Sequence, residues 1–194
     1  MNQVTPQDIP NVLAVMRSAW EVSPESMEEL CSLLTPCTFA KKQIMVEAGR
    51  AVGKAFFVER GATRSYWIVD GHEITTSFTL EGAIVFSMDE LYYQRQSEEY
   101  VEAVDDVTAY AITLDDLRRL FATRLDLANW GRVIHQNEYR RLHQSHKERL
   151  TLPARERYEA FRRQFPEVCQ RVNQGYIASY LGITPSTLSR MRNM

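Results

Sequence analysis

Near the start of the chain apolar residues recur at helical spacing: Val12, Val15 and Met16, then Met27, Leu30 and Leu34. They predict two short helices between Pro6 and Leu34, the second capped by Ser23 with Pro24 at its first position. From about Cys37 to Ile112 the pattern changes to strands. Gly49, Gly61, Gly71 and Gly82 fall 12, 10 and 11 residues apart, and short runs rich in Val, Ile, Phe, Tyr, Trp and Thr lie between them. Ile74, Thr76, Phe78 and Leu80 alternate with Glu73, Thr75, Ser77 and Thr79, the period of a half-buried strand. The Asp70-Gly71 pair predicts a tight hairpin, and Val107–Ile112 reads as the last strand. Turns at such regular intervals predict an antiparallel sandwich or roll.

Helix returns at Leu114, with Thr113 as its cap and Asp115 and Asp116 at the positive end of the helix dipole. A long helical stretch continues to about Lys147, weakened only at Gly131. Leu120, Leu127 and Ile134 lie seven apart with Trp130 between them, and the seam turns polar at Asn137 and Arg141. It suits a dimer helix, or else a helix packed on its own roll. Thr151-Leu152-Pro153 starts another helix with an apolar face of Tyr158, Phe161 and Phe165, which Pro166 ends.

Composition narrows the class. The chain has 194 residues, 44% hydrophobic and 25% charged, enough to bury a core. No run approaches the roughly 18 apolar residues of a membrane span, and Met1 to Glu21 lacks the features of a signal peptide. Cys31, Cys37 and Cys169 are scattered without metal-ligand spacing. These features predict a cytoplasmic protein with no membrane partner, no metal and no cofactor. Charge is divided: residues 1–127 hold 11 Lys and Arg against 20 Asp and Glu, while residues 128–194 hold 12 against 5. The acidic part avoids polyanions and the basic part seeks them.

The last 21 residues carry the sharpest motif. A helix-turn-helix needs a small residue where its helices touch, and Ala178 supplies it. Its turn favours a residue that tolerates positive φ, and Gly182 stands four places on. Ile177, Leu181, Ile183, Leu188 and Met191 fall on the inward faces, and Thr184 with Pro185 begins the second helix. That helix, 185–192, would enter the major groove of double-stranded DNA. Ser186, Thr187, Ser189 and Arg190 face outward on it, and Arg190 is expected to read a guanine. With Thr184 they form the expected contact set, and Arg171, Gln174 and Arg192 are expected on phosphates. The competing reading is a sensor whose C-terminal helices make protein contacts instead.

Together these motifs resemble the Crp/Fnr superfamily, over nearly the whole chain and most closely over Tyr176–Arg192. The string Ile-Ala-Ser-Tyr-Leu-Gly-Ile-Thr-Pro-Ser-Thr-Leu-Ser-Arg, Ile177 to Arg190, is similar to the form common in Bacteroidetes-type members. Val101 to Phe121 also resembles the end of the family's roll. The resemblance implies an α+β chain with an N-terminal double-stranded β-helix (jelly-roll-like) sensor domain at 1–122. A dimerisation helix at 123–148 and an all-α helix-turn-helix domain at 149–194 would follow. It further implies a homodimer on an inverted-repeat DNA site that contacts RNA polymerase.

Two departures from the family pattern matter. Cyclic-nucleotide-binding members carry a Gly-Glu pair and, further on, an Arg followed by a hydroxyl residue. Aligned from Gly82, this chain has Phe86-Ser87 and Ser97-Glu98 there, and Glu98 and Glu99 would repel a phosphate. Cyclic AMP or GMP is therefore not expected to bind in the family's usual way. An apolar effector pocket near Phe86, Ser87, Ser97, Tyr100 and Trp130 is the candidate instead. Pro185 and Ser186 also replace the Arg and Glu of the cAMP-responsive members, so the DNA sequence read should differ. His135, Glu138, His143 and His146 read as a solvated helix face rather than a metal site, and no enzymatic motif appears.

Overall fold

A computed structural model describes residues 3–192. The chain opens with α1 (Pro10–Ala19) and α2 (Pro24–Leu33). Ser23 caps α2, its hydroxyl accepting from the Ser26 amide at 3.2 Å. Ile9 has no side-chain oxygen to cap α1. Glu59 of the roll does so instead, accepting from the Asn11 and Val12 amides at 2.9 and 3.1 Å.

Eight strands follow: β1 (Thr35–Phe39), β2 (Ile44–Val46), β3 (Lys54–Arg60), β4 (Thr63–Val69), β5 (His72–Thr79), β6 (Ile84–Val85), β7 (Tyr100–Ala103) and β8 (Val107–Thr113). They form two antiparallel sheets, β1-β8-β3-β6 and β2-β7-β4-β5. Met45, Phe56, Val58, Val85, Val101, Ala103 and Ala109 fill the core of the roll. A second core lies under the helices, where Val12, Met16, Leu30, Phe57, Ile112 and Leu117 meet.

The Asp70-Gly71 hairpin forms as its sequence predicts. Both residues have positive φ, 52° and 77°, and Val69 pairs with His72 across the turn. The alternation expected along β5 does not survive intact. The ladder shifts register opposite Ser65 and Tyr66, leaving Thr76 as the extra residue of a bulge. The bulge changes the parity of the strand: Thr75 is 2% exposed, while Ile74, expected to face inward, is 39% exposed.

After the roll come α3 (Leu114–Thr123) and α4 (Leu125–Thr151). Thr113 caps α3, accepting from the Asp116 amide at 3.0 Å. The seven-residue stripe, shared between α3 and the 27-residue α4, packs on the chain's own roll, the second of the two arrangements expected for it. Leu120, Leu127 and Trp130 are buried in the chain's own core, Ile134 packs against them, and Trp130 stacks on Phe57 with centroids 5.9 Å apart. A seven-residue spacing marks one buried stripe without saying what buries it. The apolar side chains that α4 leaves open are others, among them Leu125 at 77%, Tyr139 at 71% and Leu142 at 45% exposure.

Four short helices complete the described chain: α5 (Ala154–Gln164), α6 (Pro166–Arg171), α7 (Gln174–Leu181) and α8 (Pro185–Arg192). Their core of Tyr158, Phe161, Val168, Ile177 and Leu188 is continuous with Ala62, Phe78 and Val104 of the roll. Among the described residues no helix is long and apolar enough to cross a membrane.

Candidate nucleic-acid interface

α7 and α8 form the helix-turn-helix. Asn173 starts α7, its side chain accepting from the Gly175 amide at 2.7 Å. Ile177, Ala178, Tyr180 and Leu181 are buried, and Ala178 has no exposed surface at all. Gly182 ends the helix at φ +66°, its amide bonding back to the Ala178 and Ser179 carbonyls. A Cβ added at Gly182 would meet nothing within 4 Å, so backbone conformation alone, not space, calls for glycine there. Thr184 caps α8, its hydroxyl accepting from the Thr187 amide at 3.2 Å.

On α8, Leu188 is fully buried and anchors the helix. Thr184, Ser186, Ser189, Arg190 and Arg192 are exposed, and Thr187 is half-buried. The predicted reading residues thus lie together on the solvent side of one helix, with the Arg190 Nε 3.4 Å from the Ser186 carbonyl. Gln174 is half-buried at the start of α7, and its Oε1 has no partner among the described residues.

Arg171 has a different partner from the phosphate expected for it. Its Nη1 and Nη2 bond both oxygens of Glu81 at 2.8 and 2.9 Å, and its Nε and Nη2 bond Asp105 at 3.1 and 2.7 Å. The bonds to Glu81, ahead of those to Asp105, hold the guanidinium above its usual pKa range. Burial pushes the Glu81 carboxyl up, but the bonds from Arg171 and the Gly61 amide outweigh it, and its pKa lies lower than usual.

Beside this pair, Arg64 of β4 is only 1% exposed. Its Nη2 lies 2.6 Å from Glu73 and 3.6 Å from Glu102, while its Nε and Nη1 have no partner among the described residues. Its guanidinium sits between two rings, 4.1 Å from the Tyr66 centroid and 3.6 Å from that of Tyr176 in α7. The sequence reading missed Arg64, Tyr176 and Ser179 as residues of this contact. A signal existed: an arginine inside a strand of apolar and aromatic residues needs a buried partner.

The five residues expected around an effector are not gathered at one cavity. Phe86 packs against Tyr92 and His135, with centroids 6.5 and 5.7 Å away. The Ser87 hydroxyl accepts from the Glu90 amide at 3.3 Å, and the Ser97 hydroxyl donates to the Glu99 carbonyl at 2.9 Å. Tyr100 stacks on Tyr66 at 5.2 Å, on the face of its strand opposite the core residue Val101. Trp130 is core. The segment joining β6 to β7 is itself plugged: Glu90 is 6% exposed and accepts from the Gly53 amide at 2.6 Å. Arg118 ties the same turn down through the Glu90 and Leu91 carbonyls, at 2.5 and 3.0 Å. Burial, then the charges of Asp89 and Glu138, raise the Glu99 carboxyl beside it against the opposing bond from Thr76. An open groove of about 430 Å³ lies elsewhere, between Trp20, Arg124, Leu125 and Asn129.

Residues 36–124 match the family model of the cyclic nucleotide-binding domain. No curated protein sequence matches the chain. Among solved structures it is similar to FixK2 from Bradyrhizobium japonicum, at 20% identity and a TM-score of 0.70, covering 82% of this chain and 83% of that one. It is similar to CLP, the c-di-GMP-responsive global regulator of Xanthomonas campestris, at 15% identity and TM-score 0.72, covering 88% and 90%. A transcriptional regulator assigned to the Crp/Fnr family from Eubacterium rectale aligns at 16% identity and TM-score 0.71, covering 89% and 82%. Residues 36–124 thus resemble the cyclic nucleotide-binding domain, and the chain shares its fold with Crp/Fnr transcription regulators.

Proposed function

We propose that the chain is a DNA-binding transcription regulator that works in the cytoplasm as a homodimer. It would read an inverted repeat through α8 and act on transcription through RNA polymerase rather than catalyse a reaction. The observation that carries this reading is a complete helix-turn-helix whose second helix keeps Ser186, Ser189, Arg190 and Arg192 in solvent. The basic balance of residues 128–194 suits a polyanion. Tyr139 and Leu142, apolar, exposed and on one side of α4, are where a second copy would meet the first.

The plugged turn at Glu90 and the carboxylates of Glu98 and Glu99 argue against the usual cyclic-nucleotide complex. A negative phosphate beside this turn would sit among acids. Selection of bound sequences from a random DNA pool by the purified, ligand-free protein tests the proposal. Enrichment of an inverted repeat is expected. A dimer that enriches no sequence would sink the reading.

A further inference from the structure

The helix-turn-helix is fastened to the roll at three places, all of them on its first helix or the short helix before it. At the free edge of β5, the Ser179 hydroxyl accepts from the Thr75 amide at 2.9 Å and donates to the Glu73 carbonyl at 3.0 Å. It satisfies edge groups that a neighbouring strand would otherwise bond. Next to it, Tyr176 covers the Arg64 guanidinium, and its hydroxyl donates to Glu102 at 3.4 Å. Below, Arg171 joins Glu81 and Asp105; the Glu81 Oε1 that it bonds also accepts from the Gly61 amide at 2.8 Å, and the other Asp105 oxygen accepts from the Ala62 amide at 2.6 Å. Phe78 of β5 fills the space between, 6.1 Å from Phe161 and 5.7 Å from Tyr180 by ring centroids. None of these bonds uses the outward residues of α8.

The geometry points to a positioning role for this interface: Ser179, Arg64–Tyr176 and Arg171–Glu81–Asp105 hold the recognition helix in its DNA-reading orientation, so specific binding needs no small molecule. The inference rests on the DNA-reading function proposed above. A ligand favours one domain arrangement only through contacts it makes better in that arrangement. Here contacts of that kind are built into the chain. They are numerous and charge-matched, and they leave the reading face open.

The opposite regulation, an inhibitory clasp, predicts the opposite sign, and the roll side of the interface separates the two. In the double variant Glu81→Gln with Asp105→Asn, two negative charges disappear and Arg171 is freed. Simple electrostatics and an inhibitory clasp both predict tighter DNA binding for that variant. The positioning role predicts looser binding to the selected inverted repeat. A loss of about tenfold is expected, within the usual range of coupling between sites, at a salt slope no shallower than the parent's. Ser179→Ala removes the β5-edge bonds without touching charge or the reading face, and it should also weaken binding.

Equal or tighter binding by the double variant, in a protein whose thermal melt shows it folded, overturns the inference and leaves the DNA-reading function standing. If the double variant does not fold, Ser179→Ala decides in the same way. A parent dimer that binds no DNA sequence overturns the DNA-reading function and this inference with it.

Discussion

The Tyr176 ring lies 3.6 Å from the Arg64 guanidinium and closes it off from water against the body of the roll. A cation with almost no exposed surface depends on what replaces its hydration. Two carboxylates supply part of that replacement, and the Tyr66 and Tyr176 rings supply the faces.

Replacing Tyr176 with Ala is therefore expected to destabilise the protein by about 2 kcal/mol, the size of a desolvated cation–π contact with some lost packing. Tyr176→Phe keeps the ring and loses only a long hydroxyl bond to Glu102, so its cost should stay under about 1 kcal/mol. Urea unfolding of both variants checks the pair. Equal losses would mean that the hydroxyl, not the ring, does the holding.

Arg190 stands exposed on the outward side of α8, where the proposed function would bring it to a base edge. Arg190→Ala should cost about 1–3 kcal/mol on the selected site and little on scrambled DNA, because a bidentate guanine contact carries sequence information. Titration of matched and scrambled duplexes by fluorescence anisotropy measures both. A uniform loss on every sequence would make Arg190 a phosphate contact.

Much of this architecture is legible in the sequence where one local rule decides a position. The Asp70-Gly71 turn, the Ser23 and Thr113 caps, Ala178 at the helix contact and Gly182 at positive φ each follow from the residue's own chemistry. What was not legible depends on partners far apart in the chain. The Thr76 bulge reverses β5 because of its pairing with β4, and no periodicity within β5 records that. Arg171 sits in a basic segment that invites a phosphate, yet it bonds Glu81 and Asp105, 90 and 66 residues away. The residues expected around an effector are likewise dispersed by long-range pairing, with Tyr100 stacked on Tyr66 and Trp130 stacked on Phe57.

Asp126, in the first turn of α4, ties that helix to α2. Its carboxylate accepts from the Ser23 amide at 2.9 Å, the Ser26 hydroxyl at 2.8 Å and the Leu127 amide at 2.9 Å. Burial pushes its carboxyl up, but these bonds outweigh burial and hold it down at about 2. A carboxyl depressed when folded adds stability above its unfolded pKa, and that stability is lost as pH falls through the folded value. Asp126→Asn should thus lower stability by about 1 kcal/mol at neutral pH. The gap to the parent should close between about pH 4 and pH 2. Thermal melts of both proteins across that window measure it, and a gap that stays constant with pH would refute the carboxylate's role.

The two sides of α4 should respond differently to substitution. Leu127 is 1% exposed in the chain's own core, so Leu127→Ala is expected to cost about 2–5 kcal/mol of stability. Leu142 is 45% exposed and Tyr139 71%, so charge placed there meets water in the single chain and should leave its fold nearly intact. In a homodimer joined along this stripe, Tyr139→Glu and Leu142→Glu would instead bring two like charges into an apolar seam and drive dimer to monomer. Sedimentation velocity reads the oligomer and a thermal melt reads the fold. A Leu142→Glu protein that stays dimeric would move the interface off this stripe, since no pair of helices joined there could bury both carboxylates unpaired.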